Sequence, residues 1–156
     1  VRDDKWLFAK LDEVWDKYFP EMPMDNDVHI VWGRKARQRL GSIKQGKKVL
    51  GKHPETIITI NSLFKDDKIP EFVIDATIAH ELAHYSHGFH SPLKKQFRKP
   101  HEGGIVHKEL EARGAKDLEK KSHKWLKENW QDYLKENLPR STRVVRKKRR
   151  IIIKWI

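Results

Sequence analysis

The segment Phe72-Val73-Ile74-Asp75-Ala76-Thr77-Ile78-Ala79-His80-Glu81-Leu82-Ala83-His84 reads as one apolar helix carrying a metal-ligand pattern. Pro70 stands just ahead of it, and proline suits the start of a helix. The helix is expected to run through His87, with Gly88 as its C-terminal stop. Residues i and i+4 of a helix share one face, so the His80 and His84 imidazoles can grip one tetrahedral cation. Glu81 sits about 100° round the helix from His80, given roughly 3.6 residues per turn. It can reach an attacking water without being a ligand itself. Two ligands and a general base are the logic of H-E-x-x-H, with Zn2+ as the expected cofactor. Two chance histidines on a solvated helix would not be expected among small apolar neighbours, and further histidines follow.

Upstream, Thr56-Ile57-Ile58-Thr59-Ile60 is a β-branched run and the strongest strand in the chain. Val28 to Trp32 reads as another strand, closed by Gly33, and a weaker one is expected near 39–45. Trp6, Leu7, Leu11, Val14, Trp15, Tyr18 and Phe19 form an apolar stripe along a first helix over 3–19, which Pro20 and Pro23 end. Downstream, residues 88–103 look like a loop. A helix starting near 103–105 carries Ile105, Val106, Leu110 and Leu118, with Gly114 as a weak point. A last helix is expected over 122–136, stopped by Pro139. The order helix, three strands, then two or three helices gives an α+β domain with a three-stranded sheet. Residues 1–138 are read as this domain and 139–156 as a basic C-terminal tail.

Composition narrows the function classes. A chain of 156 residues fits one domain that can bury a core unaided. Cysteine is absent, which excludes disulfides, cysteine-based zinc fingers and a thiol nucleophile. No apolar signal region follows Val1, and no apolar run reaches the ~20 residues of a membrane span. A cytoplasmic setting, with nucleoid association, is the expected localisation. The net charge is +12, but eight Lys or Arg lie between Arg140 and Lys154, beyond the last acid, Glu136. Without them 26 basic residues face 22 acidic ones, a balance of +4. A tail of this kind suits a polyanion.

A catalytic zinc needs a third protein ligand and an open position. His87, His90, His101 and His107 follow the motif, and Glu109 and Glu111 are carboxylate candidates. His87, one turn past His84, is poorly placed to bend onto the same ion. A ligand on the next helix or at its entry favours His101 or His107 over His90, and spacing alone goes no further.

On these residues the chain resembles the SprT-like zinc metallopeptidases, a group that includes proteases of DNA–protein crosslinks. The resemblance runs from about Val28 to about Leu118. Val31-Trp32-Gly33-Arg34 is similar to the family's first strand, and Thr56 to Phe64 to its last strand and the turn after it. His80-Glu81-Leu82-Ala83-His84 matches the family's helix closely. The family's third ligand is a His followed by Gly and, four residues on, by a bulky apolar residue. His101, with Gly103 and Ile105 after it and Pro100 before it, is similar to that. His107, followed by Glu111, is the alternative. A related group of small hydrolases places the ligand sooner, as in His90-Ser91-Pro92. The family's cysteine zinc ribbon and its partner-binding and ubiquitin-binding segments are missing, and the stretch from His84 to His101 is long.

The resemblance implies a small zincin-like domain and a zinc-dependent endopeptidase acting on DNA-associated proteins. His80, His84 and His101 would bind zinc, and Glu81 would be the general base. The strand 56–60, as a sheet edge above the cleft, would pair with an extended substrate. Arg113, Tyr85 and His107 are candidates for stabilising an oxyanion. Arg143, Arg146, Lys147, Lys148, Arg149 and Arg150 would form a nucleic-acid arm that brings the enzyme to DNA. Other readings of the tail are a membrane-surface anchor or a terminal strand docked on the domain. The competing function is a basic nucleic-acid-binding module with a structural or inactive zinc site. A metal hydrolase acting on something other than protein also fits, because the motif specifies activated water and not the substrate.

Overall fold

The computed structural model describes residues 1–139 and the backbone of 154–155. Helix α1 spans Asp4–Tyr18, followed by strands β1 (Val28–Trp32), β2 (Arg39–Gln45) and β3 (Thr56–Ile60). A 3-10 turn, Ser62–Lys65, leads to α2 (Glu71–Ser86). A second, Glu102–Gly104, leads to α3 (Ile105–Ala112) and α4 (Lys116–Asn137). A two-residue strand, β4 (Lys154–Trp155), comes last. The protein is an α+β domain with a mixed sheet.

Local chemistry sets most of these boundaries. The Asp3 carboxylate caps α1 by accepting from the Trp6 backbone N–H at 2.8 Å. Pro70 stands at the N-cap of α2. Gly88 follows its C-cap with φ +84°, the left-handed stop glycine tolerates best. There the returning loop packs so tightly that an added Cβ would lie 2.5 Å from the Lys95 nitrogen.

The sheet order is β1-β3-β2-β4. β1 pairs parallel with β3, from Val28↔Thr56 to Trp32↔Ile60. β2 pairs antiparallel with β3, from Gly41↔Ile60 to Gln45↔Thr56. The strand 56–60 is therefore the centre of the sheet, and its expected role as the substrate-pairing edge is wrong. Both of its backbone edges are already bonded, as suits an isoleucine- and threonine-rich run. The described sheet ends at β1 on one side and at β4 on the other, where β4 meets the outer side of β2 at Arg39 and Gly41. The three expected strands thus gain a short fourth. Buried Asn61 ties the exit of β3 to the segment before β2. It donates to Ala36 O at 2.7 Å and Arg39 O at 3.0 Å, and accepts from Leu63 N at 3.0 Å.

Helix α2 is the central beam. Thirteen of its sixteen residues are buried, between α1, α3, α4 and the sheet. A helix apolar on every side belongs in a core rather than at a surface. Its Ile74 and Ile78 join Leu7, Leu11, Phe64, Trp130 and Leu134 in one core cluster. Lys10 is buried with it and reaches Asp75 Oδ1 at 3.1 Å.

The expected helix carrying both Ile105 and Leu118 is broken. Gly114 adopts φ +78°, ending α3, and α4 then runs without interruption from Lys116 through the segment expected to be separate. The expected break near 119–122 had no glycine or proline to cause it. Among the described residues, no helix is long and apolar enough to cross a membrane. Arg143, Arg146, Lys147, Lys148, Arg149 and Arg150, the expected nucleic-acid arm, lie outside the described residues.

Candidate metal centre

His80 and His84 project from successive turns of α2, with ring centroids 4.8 Å apart. His101 arrives from the loop just before Glu102–Gly104, its ring 5.4 Å from His80 and 4.7 Å from His84. One ligand nitrogen from each of the three lies within 4.8 Å of the others. The Nε2 atoms of His80 and His101 are 3.3 Å apart. A tetrahedral ion with Zn–N near 2.0–2.1 Å would set its nitrogens about 3.3 Å apart. Of the four later histidines read in the sequence, His101 is the one that joins the motif.

The electrostatics suit a cation. Burial, then the neighbouring His84 and His101, holds the His80 imidazole well below its usual range. Burial, then His101, pushes His84 down to about 3. Partial desolvation of its ring also lowers His101, although the residue is exposed. All three rings are therefore neutral at pH 7, the form with a lone pair to donate. Both ring nitrogens of His84 and both carboxylate oxygens of Glu81 are buried with no protein hydrogen-bond partner. Buried polar groups of this kind ordinarily find a protein, water or ion partner. Burial alone raises the Glu81 carboxyl well above its ordinary range, and a nearby divalent cation would favour the carboxylate again.

Strand β2 roofs the carboxylate. A Cβ at Gly41 would lie 2.7 Å from Thr77 Cγ2 and 3.3 Å from Glu81 Oε1. Only glycine lets the strand approach α2 this closely. Sequence reasoning missed Gly41, because a glycine inside a weak strand signals only a weaker strand.

The other candidates are engaged elsewhere. His87 Nε2 meets Glu109 Oε1 at 2.8 Å, and Glu109 Oε2 accepts from Arg113 Nε at 2.9 Å. Arg113 also donates to Tyr18 O at 3.1 Å and Glu21 Oε1 at 2.6 Å, tying α2 and α3 to the end of α1. Glu109 and Arg113 thus form a strut, and Glu109 lies outside the three-histidine group. Glu111 pairs with Lys116. His90 is exposed, and its backbone carbonyl accepts the Thr56 hydroxyl at 2.6 Å. The Tyr85 hydroxyl donates to Asn26 Oδ1 at 2.6 Å, and its buried phenol is pushed up to about 12.

His107 stands outside the three-histidine group. Its Nδ1 meets Glu119 Oε1 at 2.7 Å, and its ring lies 6.0 Å from that of His123. His123 was not singled out in the sequence. Its spacing from Glu119, one helical turn, was the available signal. Comparison with protein-family models, with curated proteins and with solved structures finds no match to this chain.

Proposed function

We propose that the protein is a zinc-dependent endopeptidase of the SprT-like, zincin-like kind. The observation that carries this reading is the convergence of three neutral histidine nitrogens beside a buried, unpartnered glutamate. Three histidines leave a coordination position open, whereas a structural zinc is usually closed by four protein ligands. That favours catalysis over a purely structural ion.

His80, His84 and His101 would hold the metal. Zinc bound there supplies Lewis acidity, which polarises a carbonyl and acidifies water. Glu81 takes the proton of the attacking water and delivers it to the departing amine. Burial raises its carboxyl and a bound cation would lower it again, opposed pulls that suit a group which takes a proton and then returns it. Gly41 lets a strand pass over this carboxylate, so an extended backbone can be held near the reacting carbonyl. The eight basic residues between Arg140 and Lys154 support recruitment to DNA-associated proteins, through phosphate contacts.

The experiment combines elemental analysis with casein cleavage, with and without DNA. One zinc per chain and cleavage in the wild type are expected. Glu81→Gln should keep the zinc and lose cleavage, while His80→Ala and His101→Ala should lose both. Full turnover in Glu81→Gln would refute the general-base role. Zinc bound without any cleavage would favour a nucleic-acid-binding module with an inactive site.

A further inference from the structure

Outside the three-histidine group, a second set of metal-ligating side chains gathers where α3 meets α4. Glu119 and His123 stand four residues apart on α4, so they share one face of that helix. His107 meets them from α3. Its Nδ1 lies 2.7 Å from Glu119 Oε1, and its ring centroid lies 6.0 Å from that of His123. Ring spacings in the three-histidine group run from 4.7 to 5.4 Å, only a little shorter. The His107 side chain is 63% exposed, whereas that of Glu119 is 15% exposed. The carboxylate is thus the fixed member, and the imidazole can turn onto an ion beside it, as exposed side chains change rotamer within nanoseconds. On a helix that also carries Lys116, Lys120, Lys121 and Lys124, this carboxylate pairs with a histidine. Partial desolvation lowers the His123 imidazole, Glu119 pulls it up and His107 pushes it down again. The net lowering favours the neutral ring, which has a lone pair to donate.

We propose that His107, Glu119 and His123 form a second cation site, for a divalent transition ion of the zinc class, which clamps α3 to α4. Imidazole nitrogens with one carboxylate oxygen suit zinc, whereas Mg2+ and Ca2+ take oxygen donors. The ion takes the place of the proton between His107 and Glu119. Nδ1 and Oε1 then part from 2.7 Å to about 3.3 Å, the edge of a tetrahedral site, and the His123 ring closes in. The site does not depend on the peptidase reading, but it adjoins the three-histidine group. The short stretch from His101 to His107 supplies a histidine to each, and α3 begins at Ile105, just past the His101 turn. An ion at the second site therefore braces the segment that carries the third ligand of the first.

The test uses the full chain, stripped with a chelator and titrated with Zn2+ alone. Calorimetry should count two equivalents in the wild type and one in His107→Ala/His123→Ala. Glu119→Gln keeps the size of the side chain but removes its anionic donor. It should weaken the second equivalent at least about ten- to hundredfold, the loss typical of even an outer partner of a zinc ligand. His80→Ala/His84→Ala should lose the first equivalent and keep the second. Because that variant alters the core, the ring nitrogens of the wild type are also followed by NMR. Those of His107 and His123 should shift with the second equivalent of Zn2+ and stay in place with Mg2+. A single equivalent that survives in His107→Ala/His123→Ala would overturn the second site and leave the first standing. A single equivalent lost only in that variant would leave the second site standing and overturn the three-histidine centre. Two equivalents that both survive in it, or a second that leaves both rings unshifted, would place the ion elsewhere and overturn the assignment.

Discussion

Replacing Gly41 by alanine puts a methyl group where the structure has almost no space for one. The new carbon would lie 2.7 Å from Thr77 Cγ2. Carbon pairs settle at about 3.5–4.0 Å, so the deficit is close to 1 Å. Thr77 cannot easily turn away. Its hydroxyl donates to Val73 O at 2.7 Å, and a β-branched side chain in a helix has few rotamers. Strand and helix must therefore separate, at the roughly 1–3 kcal/mol typical of overpacking. Alanine recovers about 0.5–1 kcal/mol of backbone entropy relative to glycine, so the net loss should be about 1–2 kcal/mol. At about 2–4 °C per kcal/mol for a domain of this size, Tm should fall by roughly 2–8 °C. Glu81 Oε1, 3.3 Å from the same carbon, should shift as well. A misplacement near 1 Å can cost about a hundredfold in rate. Urea unfolding followed by tryptophan fluorescence measures the stability term. Thr77→Ser deletes the clashing methyl and keeps the hydroxyl, so the double variant Gly41→Ala/Thr77→Ser should regain most of the loss. Wild-type stability in Gly41→Ala, or a coupling energy below about 0.5 kcal/mol in the cycle, would show that the strand does not press on the helix here.

Two further outcomes are expected. Burial works against the Lys10 ammonium, but Asp75, Glu13 and Glu71 outweigh it and raise its pKa. Burial also raises the Asp75 carboxyl, despite Lys10 beside it. Asp75→Ala should therefore cost about 1–3 kcal/mol, less than the ~3–5 of a fully buried orphaned charge, because Glu13 and Glu71 remain at 3.5 and 3.9 Å. Lys10→Met/Asp75→Leu should return to within about 1 kcal/mol of wild type in chemical denaturation, and a larger deficit would contradict the balance. The Lys68 backbone N–H and then the Tyr133 hydroxyl hold the Asp66 carboxyl below its usual range. A depressed carboxyl stabilises the fold above its unfolded value near pH 4, and that stability is lost as the pH falls through the folded value. The Tm of Asp66→Ala should accordingly decline less steeply than that of the wild type below about pH 4, and parallel curves would exclude the linkage.

The elements whose local chemistry decides them were legible in the sequence. The first helix, the three strands and α2 lie within a residue or two of their expected spans, because proline, glycine and side-chain periodicity act at short range. The place of a strand in its sheet is a long-range property. Nothing within Thr56–Ile60 says that two other strands will pair with it. The third histidine was chosen over His107 by resemblance rather than by spacing. Its place depends on how the 88–103 loop returns to the helix, and Lys94 and Lys95 of that loop pack against Gly88, a tertiary contact. The partners of Arg113 and Tyr85 were hidden for the same reason. Their polar ends reach partners far along the chain, at Glu21 and Asn26.

The three histidines differ in how firmly they are anchored, and that difference governs how an ion would come and go. Two of them belong to a helix packed on nearly every side, so withdrawing either would mean dismantling the core. His101 is exposed and precedes Gly103 and Gly104, both at positive φ. Those glycines let the turn re-form cheaply, so an ion held by the three rings would load and leave through this single arm. The lifetime of the bound ion would then be tuned by the turn's stiffness, leaving the helix a fixed anvil throughout.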